Sequence, residues 1–146
     1  PLMISWPRMI HGGAISDALV ELTDIVPTLY EATGLDTPYY VQGRSLLPLL
    51  SRKSNTHREQ VRCEYFGALS EPDQTRATMY RDSRWKLNCF HGKNIRELYD
   101  LEKDPWEHQD LSQDPDYADL LTNLLVKSLD ASAEAIPPAP PRTAPW

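Results

Sequence analysis

The feature that most constrains this chain is a change of hydrophobic period. From residue 60 to residue 101 apolar positions recur every second residue, and from 114 onward they recur every three to four. Residues 60–66 (QVRCEYF), 76–82 (RATMYRD), 84–90 (RWKLNCF) and 96–101 (RELYDL) read as four short strands, separated by the turn-prone segments SEPDQ, DS and HGKN. In the third, Trp85, Leu87 and Cys89 alternate with Lys86 and Asn88, as expected of a sheet with one face buried. Asp114 then stands as a helix N-cap with Pro115 at the first helical position, and Tyr117, Leu120, Leu121, Leu124, Leu125 and Leu129 form one apolar stripe. A helix of this kind is unstable alone and must bury its stripe, and the sheet face is the partner at hand. The pattern predicts an α+β fold, a four-stranded antiparallel sheet with one helix packed across it.

The first fifty residues read differently. Leu2-Met3-Ile4 is a continuous apolar run closed by Trp6-Pro7, which suits a strand buried on both faces, although periodicity does not separate strand from helix over so few residues. In SDALVELTDIVPTLYEATGL, Asp24 is placed as an N-cap, Pro27 falls in the first turn, Ile25, Leu29 and Ala32 follow at helical spacing, and Gly34 ends the helix. GRSLLPLL reads as a short helical turn capped by Ser45. The polar run SRKSNTHREQ is the best linker, so a boundary is expected near residue 52. This gives 1–52 as the end of one domain, 53–133 as the sheet and helix, and 134–146, with IPPAPPRTAPW, as an extended Pro-rich tail.

Composition narrows the class of function. The chain has 146 residues, 25% charged and 40% hydrophobic, as in a soluble globular protein. A net charge of −6 with no Lys/Arg cluster speaks against a nucleic-acid surface. No apolar run reaches membrane-spanning length and no segment reads as a signal peptide. The chain opens PLMISWP without Met, so a start and any export signal are expected upstream, which leaves cytoplasmic and periplasmic locations both open. Cys63 and Cys89 rule out a disulfide-dense scaffold and are expected as small buried residues with free thiols, bridged only if their strands are neighbours in register.

The segments PLMISWPRMIHGG, SDALVELTDIVPTLYEATGL, GRSLLPLL, YRDSRWKL and ELYDLEKDPWEHQDL, in that order and spacing, resemble the C-terminal third of the sulfatase family, within the alkaline-phosphatase-like superfamily. The resemblance implies that residues 1–52 are the tail of an α/β catalytic domain and that 53–133 form a small C-terminal subdomain. It also implies that DPWEHQDL is the structural turn into the closing helix. In such a turn Asp104-Pro105 sets a kink and acidic side chains cap nearby backbone N–H groups.

Sulfatases cleave sulfate esters with a formylglycine made from the Cys or Ser of a C/S-x-P-x-R motif and a divalent metal, usually calcium, held by Asp and Asn. The resemblance places both upstream of this chain. Cys63 continues Glu-Tyr-Phe and Cys89 continues Phe-His-Gly, so neither fits the motif. Ser70-Glu71-Pro72-Asp73-Gln74 has Gln where Arg is required and reads as a turn, and no Asp-Asp or Asp-Asn pair suggests an oxygen-rich cation site. The chain alone therefore carries no catalytic, cofactor or metal residues.

A role at the rim of the substrate cleft, implied by the resemblance, falls to the loop after 64–67 and to Glu64, Tyr65, Arg76, Arg81 and His91. His11 and His57 read as plain surface residues, and His108 as decoration of the turn. The expected partner of the parent protein is a small-molecule sulfate ester, with neither nucleic acid nor membrane. Two other readings stand beside it. One is a phosphodiester or phosphonate monoester hydrolase of the same superfamily. The other is a non-catalytic module, self-associating through the orphan run at 2–4.

Overall fold

The computed structural model describes residues 2–67 and 74–135. The turn read at 70–73 and the tail from 136 lie outside the described residues. The chain divides into two compact units, one running up to His57 and including the described residues after Ala133, the other Arg58–Ala133.

The second unit holds the sheet. Strands β1 (Gln60–Phe66), β2 (Arg76–Asp82), β3 (Trp85–Phe90) and β4 (Ile95–Asp100) lie in the order β1-β2-β3-β4, each antiparallel to the next. The expected bounds are shifted by one residue at most at either end of β3 and β4 and are unchanged for β1 and β2. Register carries Tyr80 to Leu87 and Leu87 to Leu98, so these three form a buried row, 2%, 0% and 0% exposed. Leu111 and Leu124 close over it.

After β4 the acidic turn seals the sheet. The Leu98 N–H donates to Asp110 Oδ1 at 2.9 Å and the Leu111 N–H to the Leu98 carbonyl at 2.8 Å. Asp104 Oδ2 accepts from the Gln109 N–H at 2.8 Å, which stabilises the bend. Asp114 then caps a 3₁₀ turn (Pro115–Tyr117) through the Asp116 N–H, and the chain runs into α3 (Ala118–Glu134).

Leu129 departs from the expected stripe. Leu124 is 1% exposed and Leu129 70%. At about 100° per residue, five residues turn the helix by roughly 140° from the buried direction, whereas Ala131, seven residues on, returns to it. Ala131 accordingly replaces Leu129 in the core, at 6% exposed.

In the first unit, a 3₁₀ turn (Leu22–Asp24) leads into α1 (Ile25–Thr33), and α2 (Leu47–Leu50) follows. Gly34 ends α1 in the left-handed conformation, φ +72°. Asp24 makes no side-chain capping hydrogen bond to α1. It stands one turn later than a cap would, in a reciprocal capping box with Glu21. Ser45 Oγ accepts from the Leu47 N–H at 3.2 Å, although the residue flanking α2 is Leu46. The run at 2–4 forms no strand, for an isolated segment has no neighbour to complete a ladder, and Met3 is 92% exposed. No helix among the described residues is long and apolar enough to cross a membrane.

Candidate functional site

Strand register assembles one row of side chains across all four strands on the face under α3: Glu64 opposite Thr78, Thr78 opposite Cys89, and Cys89 opposite Arg96. This row floors an open groove of about 800 Å³. Phe66 and the β3–β4 hairpin form its end, and Leu125, Ser128, Leu129 and Ser132 of α3 form its wall. The hairpin can curl here because Gly92 and Asn94 both take positive φ, +77° and +52°.

Polar groups in the groove are held by short contacts. His91 Nε2 lies 3.1 Å from Thr78 Oγ1, its ring meets Phe66 edge-on at 6.3 Å, and its backbone N–H donates to the Arg76 carbonyl at 2.7 Å. Glu64 pairs with Arg62. Arg96 is exposed and has no ion pair among the described residues. Burial pushes the Cys89 thiol above its ordinary value, against the smaller opposing pull of Arg96. A thiol kept protonated is a poor nucleophile.

The rim residues expected from sequence do not form one site. Glu64 and His91 line the groove. Arg76 lies in phase with Thr78 and Tyr80, at the end of β2 opposite Phe66, but does not line the groove. Tyr65 (opposite Ala77) and Arg81 (between Val61 and Lys86) are out of phase by one residue and lie on the other face of the sheet. Cys63 shares that face and is exposed, contrary to its expected burial. Both thiols are free: β2 separates their strands and they project from opposite faces.

Sequence reasoning missed Thr78, Arg96 and Ser128. Arg96 was detectable, since its two-residue spacing from Leu98 puts it on the core face of β4.

In the first unit, His57 is no plain surface residue. Its side chain is 6% exposed and its Nε2 lies 3.1 Å from Asp24 Oδ2, a carboxylate that is itself fully buried. Asp24 also accepts from the N–H groups of Glu21 and Arg44, each at 2.8 Å. A His–Asp pair is half of a nucleophilic triad, yet no Ser or Cys is hydrogen-bonded to His57 among the described residues. His11 and His108 are exposed.

The residues present do not fit a metal or a formylglycine. Among the described residues no group of three or more His, Cys, Asp or Glu could hold a metal ion, and neither cysteine sits in C-x-P-x-R.

Comparison with known proteins places the chain in a family. Residues 1–134 match the sequence model of the N-sulphoglucosamine sulphohydrolase, C-terminal family. The ulvan-active sulfatase of Formosa agariphila is 30% identical, over 86% of this chain and 31% of its own length. Arylsulfatase K of Xenopus laevis is 35% identical, over 73% of this chain and 21% of its own. The solved structure of BT4656 in complex with its substrate D-glucosamine-2-N,6-O-disulfate superposes with a TM-score of 0.79 at 25% identity, covering 89% of this chain and 27% of that one. The phosphonate monoester hydrolase of Silicibacter pomeroyi superposes at 0.71, also at 25% identity, over 82% and 26%. The chain thus spans less than a third of the length of each of these relatives. With the model match running through nearly all of its described residues and a sheet-and-helix unit shared with the solved relatives, the chain belongs to the sulfatase C-terminal family, within the alkaline-phosphatase-like superfamily.

Proposed function

We propose that this chain is the C-terminal part of a hydrolase that cleaves sulfate esters, its formylglycine and divalent metal being held by residues outside the chain. The observation that carries the reading is the family match over residues 1–134. On this reading residues 1–52 complete an α/β catalytic domain and 53–133 form a small C-terminal subdomain. The exposed side of the first unit supports that division. Leu22, Val26 and Leu29 recur at helical spacing and are 78%, 45% and 60% exposed, an apolar stripe suited to packing against further chain. The acidic turn and the sheet have a structural role in such a protein, while Glu64 and His91 are the rim candidates with a concave surface to act in.

A second reading, a phosphonate monoester or phosphodiester hydrolase, draws on the structural likeness to the Silicibacter pomeroyi enzyme. The test is the full-length polypeptide that carries this chain, assayed on 4-nitrophenyl sulfate and on bis(4-nitrophenyl) phosphate. Faster turnover of the sulfate is the expected result. A preference for the phosphate diester selects the second reading, and turnover of neither refutes both.

A further inference from the structure

The two margins of the sheet differ. On β4 the Leu98 N–H and the Arg96 carbonyl are engaged by residues 110 and 112. β1 has β2 as its single sheet neighbour among the described residues. The Gly67 N–H donates to the Thr75 carbonyl at 3.0 Å, and bonded pairs alternate along an antiparallel ladder, so Val61, Cys63 and Tyr65 bond to β2. The backbone N–H and carbonyl groups of Gln60, Arg62, Glu64 and Phe66 therefore point away from the sheet. The Glu64 carbonyl is met by Cys63 Sγ at 4.0 Å, a weak bond that a better donor displaces. A margin of this kind is a template for a further strand.

The sequence of β1 is its own complement. Cys63 is the middle one of its 7 residues. A second copy laid antiparallel about a two-fold axis at Cys63 uses the whole strand and keeps the outward groups in step. Arg62 then faces Glu64 of the second copy, and Glu64 faces its Arg62. Together with the Arg62–Glu64 pair inside each strand, this makes a square of alternating charge. On the other face Val61 meets Tyr65 of the second copy, a β-branched residue against an aromatic one. Moving the axis by one residue sets Arg62 against Arg62 or Glu64 against Glu64, which is unfavourable. Moving it by two leaves less than half of each strand overlapping.

We propose that two copies of this chain pair through β1 into a dimer with one continuous sheet, its two-fold axis passing at Cys63. Each copy spends its β1 margin on the other, so addition stops at two. The interface goes beyond the hydrolase reading, because it is built only from residues of this chain and requires no catalysis.

The test uses the full-length polypeptide that carries this chain, with sedimentation velocity to follow association. The parent is expected to dimerise. Arg62→Glu and Glu64→Arg are each expected to weaken the dimer about tenfold or more, since two attractive cross-strand pairs become repulsive. Mixed together, the two variants are expected to recover the parental affinity to within about threefold, because each supplies the sign the other lacks. Like charges remain inside each variant strand, so a purely internal role for the Arg62–Glu64 pair gives no recovery. Far-UV circular dichroism verifies the fold of each variant.

Cross-linking reads the register independently. Facing residues of a non-hydrogen-bonded pair have Cα atoms about 4.5 Å apart, within disulfide reach, and Cys63 is exposed to reagent. Diamide is expected to join Cys63 to Cys63, taking up the two protons and two electrons that the thiols release as the S–S bond forms. Cys63→Ser is expected to abolish this covalent dimer. Cys63→Ser/Tyr65→Cys is expected not to restore it, because the axis sets these thiols roughly 13 Å apart along the strands. A monomeric parent, no recovery on mixing, or no cross-link at Cys63 overturns the proposal. None of these readouts involves turnover, so this interface and the hydrolase reading fail separately.

Discussion

Asp24 and His57, thirty-three positions apart, meet at 3.1 Å where both side chains are almost wholly removed from solvent. The same carboxylate collects the Glu21 and Arg44 N–H groups, so one side chain fastens three separate segments of the first unit. Asp24→Ala strands two backbone donors and an imidazole at a buried site. At about 1–3 kcal/mol per stranded donor, it is expected to destabilise the unit by roughly 3 kcal/mol or more. His57→Ala removes one partner and is expected to cost about 1 kcal/mol. Urea denaturation followed by far-UV circular dichroism measures both, and equal small losses would contradict the shared-acceptor arrangement.

Gly43 lies in the segment that Asp24 holds. A Cβ added there would stand 2.1 Å from the Thr23 carbonyl oxygen and 2.9 Å from the Asp24 Cα, both backbone atoms that cannot step aside. Gly43→Ala is therefore expected to displace the 43–46 segment and to lower the melting temperature by several degrees, an effect of about 2 kcal/mol. Gly12→Ala, with nothing within 4 Å of the added atom, serves as the contrast and is expected to change it by less than a degree or two.

Two leucines of α3 separate core from surface. Leu124→Ala opens a cavity against the Tyr80–Leu87–Leu98 row and is expected to cost about 3 kcal/mol, within the 2–5 kcal/mol typical of such truncations. Leu129→Ala, on the exposed side, is expected to stay within about 0.5 kcal/mol of the parent. A large loss at Leu129 would refute the helix orientation.

Acid should release a second fastening. Arg84 grips Asp100 through two bonds, Nε to Oδ1 at 3.1 Å and Nη2 to Oδ2 at 2.8 Å. The Arg84 hydrogen bond outweighs burial and holds the Asp100 carboxyl below its ordinary value. A depressed carboxyl stabilises the fold fully above its unfolded pKa, about 3.9, and the contribution disappears as pH falls through the lower native value. Stability is thus expected to decline below about pH 4, and Asp100→Asn is expected to flatten that part of the profile. Thermal melts between pH 2 and pH 6 test this, and an unchanged slope in the variant would exclude the linkage.

The strands of this fold were legible because each declares its own period. Tyr80, Leu87 and Leu98 all lie buried where alternation puts them. What alternation does not disclose is which strands face a common partner. Tyr65 and Arg81 read as companions of Glu64 and His91, yet a phase difference of one residue sends them to the other side of the sheet. Likewise His57 in a polar stretch carries no local sign of burial, since its partner is fixed by a turn at the opposite end of the unit. The helix stripe failed only at Leu129, where residue type agreed with the pattern but the angle around the axis did not. The family resemblance lay in five ordered segments, none of them chemical, which is why fold was easier to read than site.

The segment that closes the sheet also decides how the protein can meet its neighbours. The outward N–H and carbonyl of Leu98 are both taken by 110–111, the Arg96 carbonyl accepts from Ser112 Oγ at 2.9 Å, and the Asp100 carbonyl accepts from the N–H groups of Lys103 and Asp104. A stray extended peptide, or a second molecule seeking edge-to-edge growth, finds these positions along β4 already occupied. The DPWEHQDL turn thereby works as a built-in guard against aggregation along that margin.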